Sequence, residues 1–212
     1  MRSILTRSNT KRTMDICLVG LALPLLVPVS LVVAGLVWLK MGSPILFFQV
    51  RPGKNGQPFR IVKFRTMRQA QPEQEEWLSD FDRLTDFGRF LRRTSLDELP
   101  EFWCVLKGDM SLVGPRPLLT RYMPYFQEEE LVRFTVRPGI TGLAQINGRN
   151  HSTWDQRLSD DVRYVEHWSP WLDLRILWRT VISVVQRHGV IDDARSAMLN
   201  LDEERSRSRR CG

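Results

Sequence analysis

Two adjacent acids, Asp97 and Glu98, stand in the stretch Ser95-Leu96-Asp97-Glu98-Leu99-Pro100. Ser-x-x-Glu is a helix-capping pattern, with Ser95 as N-cap and Glu98 reaching back. A helix start also offers free N–H groups and the positive end of the macrodipole to anions. Capping is therefore compatible with an ionised Asp97 beside an incoming phosphate. Consecutive helical residues point about 100° apart, so the two carboxylates take separate roles. Cations for the same phosphate are plentiful: Lys63 and Arg65, Arg92 and Arg93, Arg116 in Gly114-Pro115-Arg116-Pro117, Arg137 in Arg137-Pro138-Gly139, and Arg149 in Asn147-Gly148-Arg149. Prolines on both sides of Arg116 fix its backbone, which suits a guanidinium that must meet phosphate oxygens in one geometry. A surface salt bridge accounts for any one of these arginines but strains across all the loops together.

These residues need a frame. The chain has 212 residues, 42% of them hydrophobic and 26% charged, enough for one well-buried domain. The net charge of +7 is unevenly spread: residues 1–72 hold 11 Lys and Arg against the single acid Asp15, and the remainder carries 20 against 23. The basic block brackets an apolar run, which points to anionic lipid headgroups and away from nucleic acid. Cys17, Cys104 and Cys211 are odd in number and far apart, without the spacing of a metal site or a disulfide framework, which suits a cytosol-facing location.

From Ile16 to Leu39 there is no charged residue, a run of 24 residues, where about 20 cross a bilayer as a helix. The run exceeds a signal-peptide core, and no small-x-small site precedes Lys40. Pro24 and Pro28 orphan the carbonyls of Gly20 and Pro24. Basic residues flank both ends, Arg2, Arg7, Lys11 and Arg12 before and Lys40, Arg51 and Lys54 after, so the positive-inside rule places both in the cytoplasm. A re-entrant hairpin turning near Pro28 satisfies both, better than a single span.

The expected fold is α+β and mainly helical: a basic N-terminus and re-entrant membrane helix over 1–40, a cytosolic domain over 41–190, and a charged tail over 191–212. Ile45–Val50 and Phe59–Phe64 are β-prone runs around the turn residues Arg51-Pro52-Gly53 and Asn55-Gly56. Gln69 to Asp86 reads as a solvated helix or mobile loop, Phe87–Leu91 and Leu99–Leu106 as helices, and Gly108–Pro117 and Arg137–Gly148 as ordered loops of the kind that carry function. Trp171, Leu174, Trp178, Val181, Ile182 and Val185 recur at helical spacing, a stripe that either packs on the core or, with Trp168 and interleaved arginines, lies in the headgroup layer. The tail from Asp192 reads as disordered or loosely docked.

Four stretches carry a family resemblance: Lys63-Phe64-Arg65-Thr66-Met67, Ser95 to Pro100, Gly108-Asp109-Met110-Ser111-Leu112-Val113-Gly114-Pro115-Arg116-Pro117, and Arg137-Pro138-Gly139-Ile140-Thr141-Gly142-Leu143-Ala144-Gln145. From about Lys11 to about Gly189 the chain resembles the small monotopic phosphoglycosyl transferases, the bacterial sugar transferase family. The resemblance implies a UDP-sugar donor, a polyprenyl phosphate acceptor such as undecaprenyl phosphate, Mg2+, and release of UMP at the cytoplasmic face of the bacterial inner membrane, as the first step of surface glycan assembly. It implies Asp97 as nucleophile, Glu98 as magnesium ligand or its partner, and Lys63, Arg92, Arg116 and Arg149 as phosphate contacts, with Arg137, Asp161 and Asp109 as further candidates. One phosphoanhydride is exchanged for another, and an aspartyl phosphate retains the transfer potential. Family members often place Ser before the helix-breaking Pro; here Val27 stands there, with Pro24 one turn earlier. A homodimer is compatible with these residues. A non-catalytic scaffold binding anionic lipid or nucleic acid leaves Asp97-Glu98 and Arg116 unexplained.

Overall fold

The computed structural model describes residues 2–69, 83–148, 153–186 and 200–211. Arg149 and most of the Gln69–Asp86 segment lie outside the described residues. Its first element, α1 (Arg2–Met41), is one helix of 40 residues that runs through Pro24 and Pro28. The segment Asn9–Met41 is long and apolar enough to cross a membrane, with a mean hydropathy of 2.7 over an 18-residue window within it.

The two limbs of α1 pack separately on the rest of the chain. Val19, flanked by Leu18 and Leu23, joins the main core with Val105, Met110, Val113, Tyr164 and Ile176. Val33 and Val37, flanked by Val29 and Ala34, join a second cluster with Phe64 and Leu91. Between them Leu25 and Val27 are exposed, and the face of the helix turned away from the clusters stays open along its length, with Leu21 83% and Leu31 69% exposed. Polar clamps fix both limbs. Lys11 Nζ lies 2.6 Å from Asp173 Oδ2. Arg12 donates to the carbonyls of Val105 and Leu106, in the last turn of a helix, where carbonyls are open to donors from outside. Asp15 accepts from Ser111 Oγ at 2.7 Å and from Leu112 N at 3.2 Å. At the far limb Arg65 donates to the carbonyls of Met41, Gly42 and Ser43 and closes the end of α1.

The expected hairpin is present as β1 (Leu46–Pro52) and β2 (Pro58–Phe64), antiparallel with Leu46 opposite Phe64 and Pro52 opposite Pro58. Its turn places Asn55 at φ 57° and Gly56 at φ 72°, a conformation that Asn and Gly tolerate best. Helix α2 (Asp86–Arg93) starts at Thr85, whose Oγ1 accepts from Gly88 N at 2.9 Å. Gly88 sits against β2's exit, where a Cβ would come 1.9 Å from the Thr66 carbonyl oxygen. Helix α3 (Glu101–Lys107) ends at Gly108, φ 93°.

The two stretches expected as loops contain regular structure. Ser111–Val113 (β3) and Gly139–Thr141 (β4) form a parallel pair, Ser111 opposite Gly139 and Val113 opposite Thr141, and Leu143–Asn147 forms a short helix, α4. Three-residue strands have no periodicity to detect; tertiary pairing creates them. Their glycines reflect close backbone approach: a Cβ on Gly139 would stand 2.1 Å from Gly114 N.

Helix α5 (Trp154–Glu166) opens with a Thr153/Gln156 capping box, and α6 (Pro170–Val185) with Ser169 as N-cap and Pro170 behind it. On α6 Asp173 and Ile176 are buried, whereas Trp171 is 74% exposed and Trp178, Val181 and Val185 are also exposed. The apolar stripe thus faces away from the core, which removes the packed alternative. The tail expectation also changes: Leu201–Cys211 is a helix, α7. Its Leu201 is fully buried with Tyr122, Trp154 and Leu158, and Arg205 meets Glu130 at 2.6 Å. One apolar anchor and the ion pairs of Asp202 and Arg205 fix a segment whose overall charge reads as solvated.

Candidate active site

The acid pair lies between α2 and α3. Thr94 ends α2, its Oγ1 donating to the Phe90 carbonyl at 2.8 Å, and Ser95 then takes a left-handed conformation, φ 55°. This reversal replaces the expected capping box. Ser95 makes no side-chain cap, and Leu96–Glu98 is a single 3-10 turn. Left-handed backbone at a non-glycine costs about 1–2 kcal/mol. Here it buries Asp97, 7% exposed, and releases Glu98 from reaching backwards.

Glu98 points at two cations. Its Oε1 accepts from Lys63 Nζ on β2 at 2.7 Å and from Arg116 Nη2 at 2.7 Å. Arg116 sits in the turn after β3, where its own carbonyl accepts from the buried Arg133 at 2.7 Å. Arg92, in the last turn of α2, donates its Nε to Thr66 Oγ1 at 3.1 Å. Lys63, Arg92, Arg116, Asp97 and Glu98 all line one cleft of about 490 Å3, together with Arg51 and Arg65.

The electrostatics separate the two acids. Burial pushes the Asp97 carboxyl up, as does the neighbouring Glu98 charge, against the pull of Lys63, Arg92 and Arg116. Burial also acts on Glu98, but Arg116 and Lys63 outweigh it and hold that carboxyl down at about 2. Two consecutive carboxylates thus differ in character because only one is ion-paired on both sides. Arg116, facing Glu98, is held more firmly protonated.

A third acid, Glu101, escaped the sequence reading. It is fully buried, with Oε1 3.0 Å from Lys63 Nζ but without hydrogen-bond geometry. Its only sequence signal is its spacing, three residues after Glu98. Burial raises its pKa from 4.5 to about 7, with Lys63 opposing and Glu98 adding. The unfolded chain releases this proton first, so stability is full below pH 4.5 and falls as pH rises from 4.5 to about 7. Glu101→Gln is expected to flatten that part of the profile in urea denaturation between pH 5 and 8. Equal slopes for wild type and variant would contradict the assignment. Arg51, opposite Phe59 on the hairpin, is a second cleft residue that sequence reasoning missed.

Other candidates fall elsewhere. Arg137 donates its Nε to the Gly108 carbonyl at 2.7 Å and does not line the cleft. A guanidinium next to a proline and a glycine reads as a free anion ligand, but here it closes the end of α3. Asp109 pairs with Lys107 at 2.9 Å on the surface. Asp161 is buried against Arg133 at 2.9 Å, with burial raising its pKa to about 6; it lines a neighbouring cleft, not the one that holds Asp97.

Among the described residues no group of three or more metal-ligating side chains is assembled. Mg2+ commonly uses one or two carboxylates plus substrate phosphates. Both cations on Glu98 meet Oε1, so its second oxygen, with Asp97 beside it, fits such a set.

The family model described as bacterial sugar transferase matches residues 6–187. An uncharacterized sugar transferase of Bacillus subtilis, EpsL, is 52% identical over 152 residues, covering 72% of this chain and 75% of that protein. A UDP-glucose:undecaprenyl-phosphate glucose-1-phosphate transferase of Caulobacter vibrioides is 42% identical over 185 residues, 82% of this chain and 69% of its own. The Escherichia coli protein of the same name is 40% identical over 81% of this chain but 39% of its own length. With the matched span running from the first limb of α1 to the end of α6, the chain belongs to the bacterial sugar transferase family of enzymes.

Proposed function

We propose that the protein transfers a sugar 1-phosphate from a UDP-sugar to polyprenyl phosphate, undecaprenyl phosphate by analogy with its relatives, as the first step of a surface glycan. The observation that carries this reading is a buried Asp97 next to an ion-paired Glu98 at the wall of a basic cleft. An Asp97 carboxylate oxygen attacks the β-phosphorus and forms an aspartyl phosphosugar, while the bond from that phosphorus to the bridging oxygen breaks and UMP leaves with that oxygen. A phosphate oxygen of the polyprenyl acceptor then attacks the same phosphorus and restores the carboxylate. Lys63, Arg92 and Arg116 hold the non-bridging oxygens and offset the like-charge approach. A magnesium ion held by Glu98 and substrate phosphates supplies further charge neutralisation when bound.

The acceptor lies at the headgroups and the donor in water, so the site must sit at their boundary. The docking of both limbs of α1 on one domain, with an apolar face left open along the helix, supports a re-entrant course through the cytoplasmic leaflet, with the exposed stripe of α6 lying in the headgroup layer. Single thiols replacing Ser8 and Ser43 are expected to label from the cytoplasmic side alone; labelling from opposite sides would refute this course. The chemistry is tested by UMP release from a panel of UDP-sugars with polyprenyl phosphate and magnesium. Failure with every donor would sink it.

A further inference from the structure

Arg92, Ser95, Glu98 and Arg116 line a second cleft as well, of about 480 Å3, so the acid pair's surroundings divide two chambers. Their linings differ in charge. The first carries seven Arg and Lys against two acids, the second four arginines against Glu98 and Asp161, among apolar side chains. On the second chamber's wall stands Gln145 of α4. Its Oε1 and Nε2 are both buried, and neither has a hydrogen-bond partner among the described residues. Arg157, whose guanidinium lies over the Trp154 ring, has a buried Nε in the same wall with no hydrogen-bond partner among the described residues. Native structures rarely leave such groups unmatched, since a buried amide without a partner forfeits its hydration. Gly142 helps to set the position, because a Cβ there would stand 2.7 Å from Gln145 Oε1.

We propose that this second chamber receives the sugar ring of the donor and that Gln145 determines which ring is accepted; this rests on the function proposed above. The bond that breaks lies between the two phosphates, so UMP and the sugar extend from the reacting phosphorus in different directions. Departing UMP gains negative charge and belongs with the seven cations. The sugar is uncharged and hydroxyl-rich, and it belongs where a planar amide offers one acceptor and two donors beside Arg157 and the Asp161–Arg133 pair. A site built to hydrogen-bond a substrate hydroxyl discriminates strongly, because the wrong ring leaves the amide unpaired.

The test uses the full-length protein and a UDP-sugar that the wild type accepts, comparing Gln145→Leu, which preserves volume, with Arg157→Gln. The KM for the UDP-sugar is expected to rise about tenfold or more for Gln145→Leu, the loss of roughly one buried hydrogen bond to substrate, with altered preference among donors. Inhibition by UMP should stay within about twofold of wild type, since UMP lacks the ring. An unchanged KM in both variants would overturn the assignment. A parallel weakening of UMP inhibition would overturn it in favour of the nucleotide. Should Gln145→Leu fail to fold by thermal melting, the same split between KM and UMP inhibition is read from Arg157→Gln. A wild type that releases no UMP would remove the reading of the acid pair and the sugar chamber together.

Discussion

Asp97→Asn is expected to reduce UMP release by about 10⁴-fold or more, the scale on which removal of a covalent nucleophile acts. The substitution keeps the shape of a residue that is 7% exposed, so the backbone turn that carries it remains. It replaces the carboxylate proposed to bond phosphorus with an amide. Stability should hold or rise at neutral pH. Burial and the Glu98 charge raise the Asp97 pKa, so ionisation opposes folding as pH increases, and a neutral amide escapes that cost. The distinguishing measurement is intact mass after incubation with UDP-sugar and no acceptor. Wild type should gain a phosphosugar, and the Asn variant should not. Activity within about tenfold of wild type, or an adduct on the variant, would end the case for Asp97 as nucleophile.

Arg116→Ala should produce the second largest loss, about 10²–10³-fold in kcat/KM, comparable with removing one preorganised donor from a developing oxyanion. Arg116 does two things at once. It faces the cleft and binds Glu98 at 2.7 Å. Without it, Glu98 keeps only Lys63 among its close cations, and its pKa must rise from about 2. The stability that Glu98 lends above its unfolded value of 4.5, lost in wild type only as pH falls toward 2, is then lost at higher pH. The acid limb of both stability and activity therefore shifts upward. Arg116→Lys restores charge without the planar fork, so it should recover the pH profile more fully than the rate. A kcat/KM within about threefold of wild type for Arg116→Ala would show that the ion pair is structural alone.

The acid pair, Lys63, Arg92 and Arg116 were legible in the sequence because their motifs are local and their neighbours are turn residues with strict backbone demands. The hairpin was legible for the same reason, through Asn55-Gly56. The relations between distant stretches were not. Ser95 looked like a cap, yet it adopts the left-handed region because the chain must turn between two helices that both pack on β2's surroundings. Arg137 had the type and spacing of an anion ligand, and only the position of Gly108 in space assigns it to a carbonyl. Glu101 offered no pattern beyond an acid before an apolar helix, and its character comes from burial. The strands β3 and β4 exist because Gly114 and Gly139 let two backbones meet, a pairing that no single stretch encodes.

The clamps on α1 also bear on how the enzyme can be handled. Lys11 is the cation bound to Asp173, a carboxylate with no exposure whose other partners, Tyr164 and Trp168, are neutral. Arg65 is committed to the three carbonyls at the opposite end. Cutting away the apolar segment would strand a buried charge, at a cost of about 3–5 kcal/mol, and open both core clusters. A truncation at the end of α1 is expected to give no soluble catalytic fragment, and a folded, active one would refute this. The long apolar helix is docked into both core clusters of the enzyme, and purification has to carry it along.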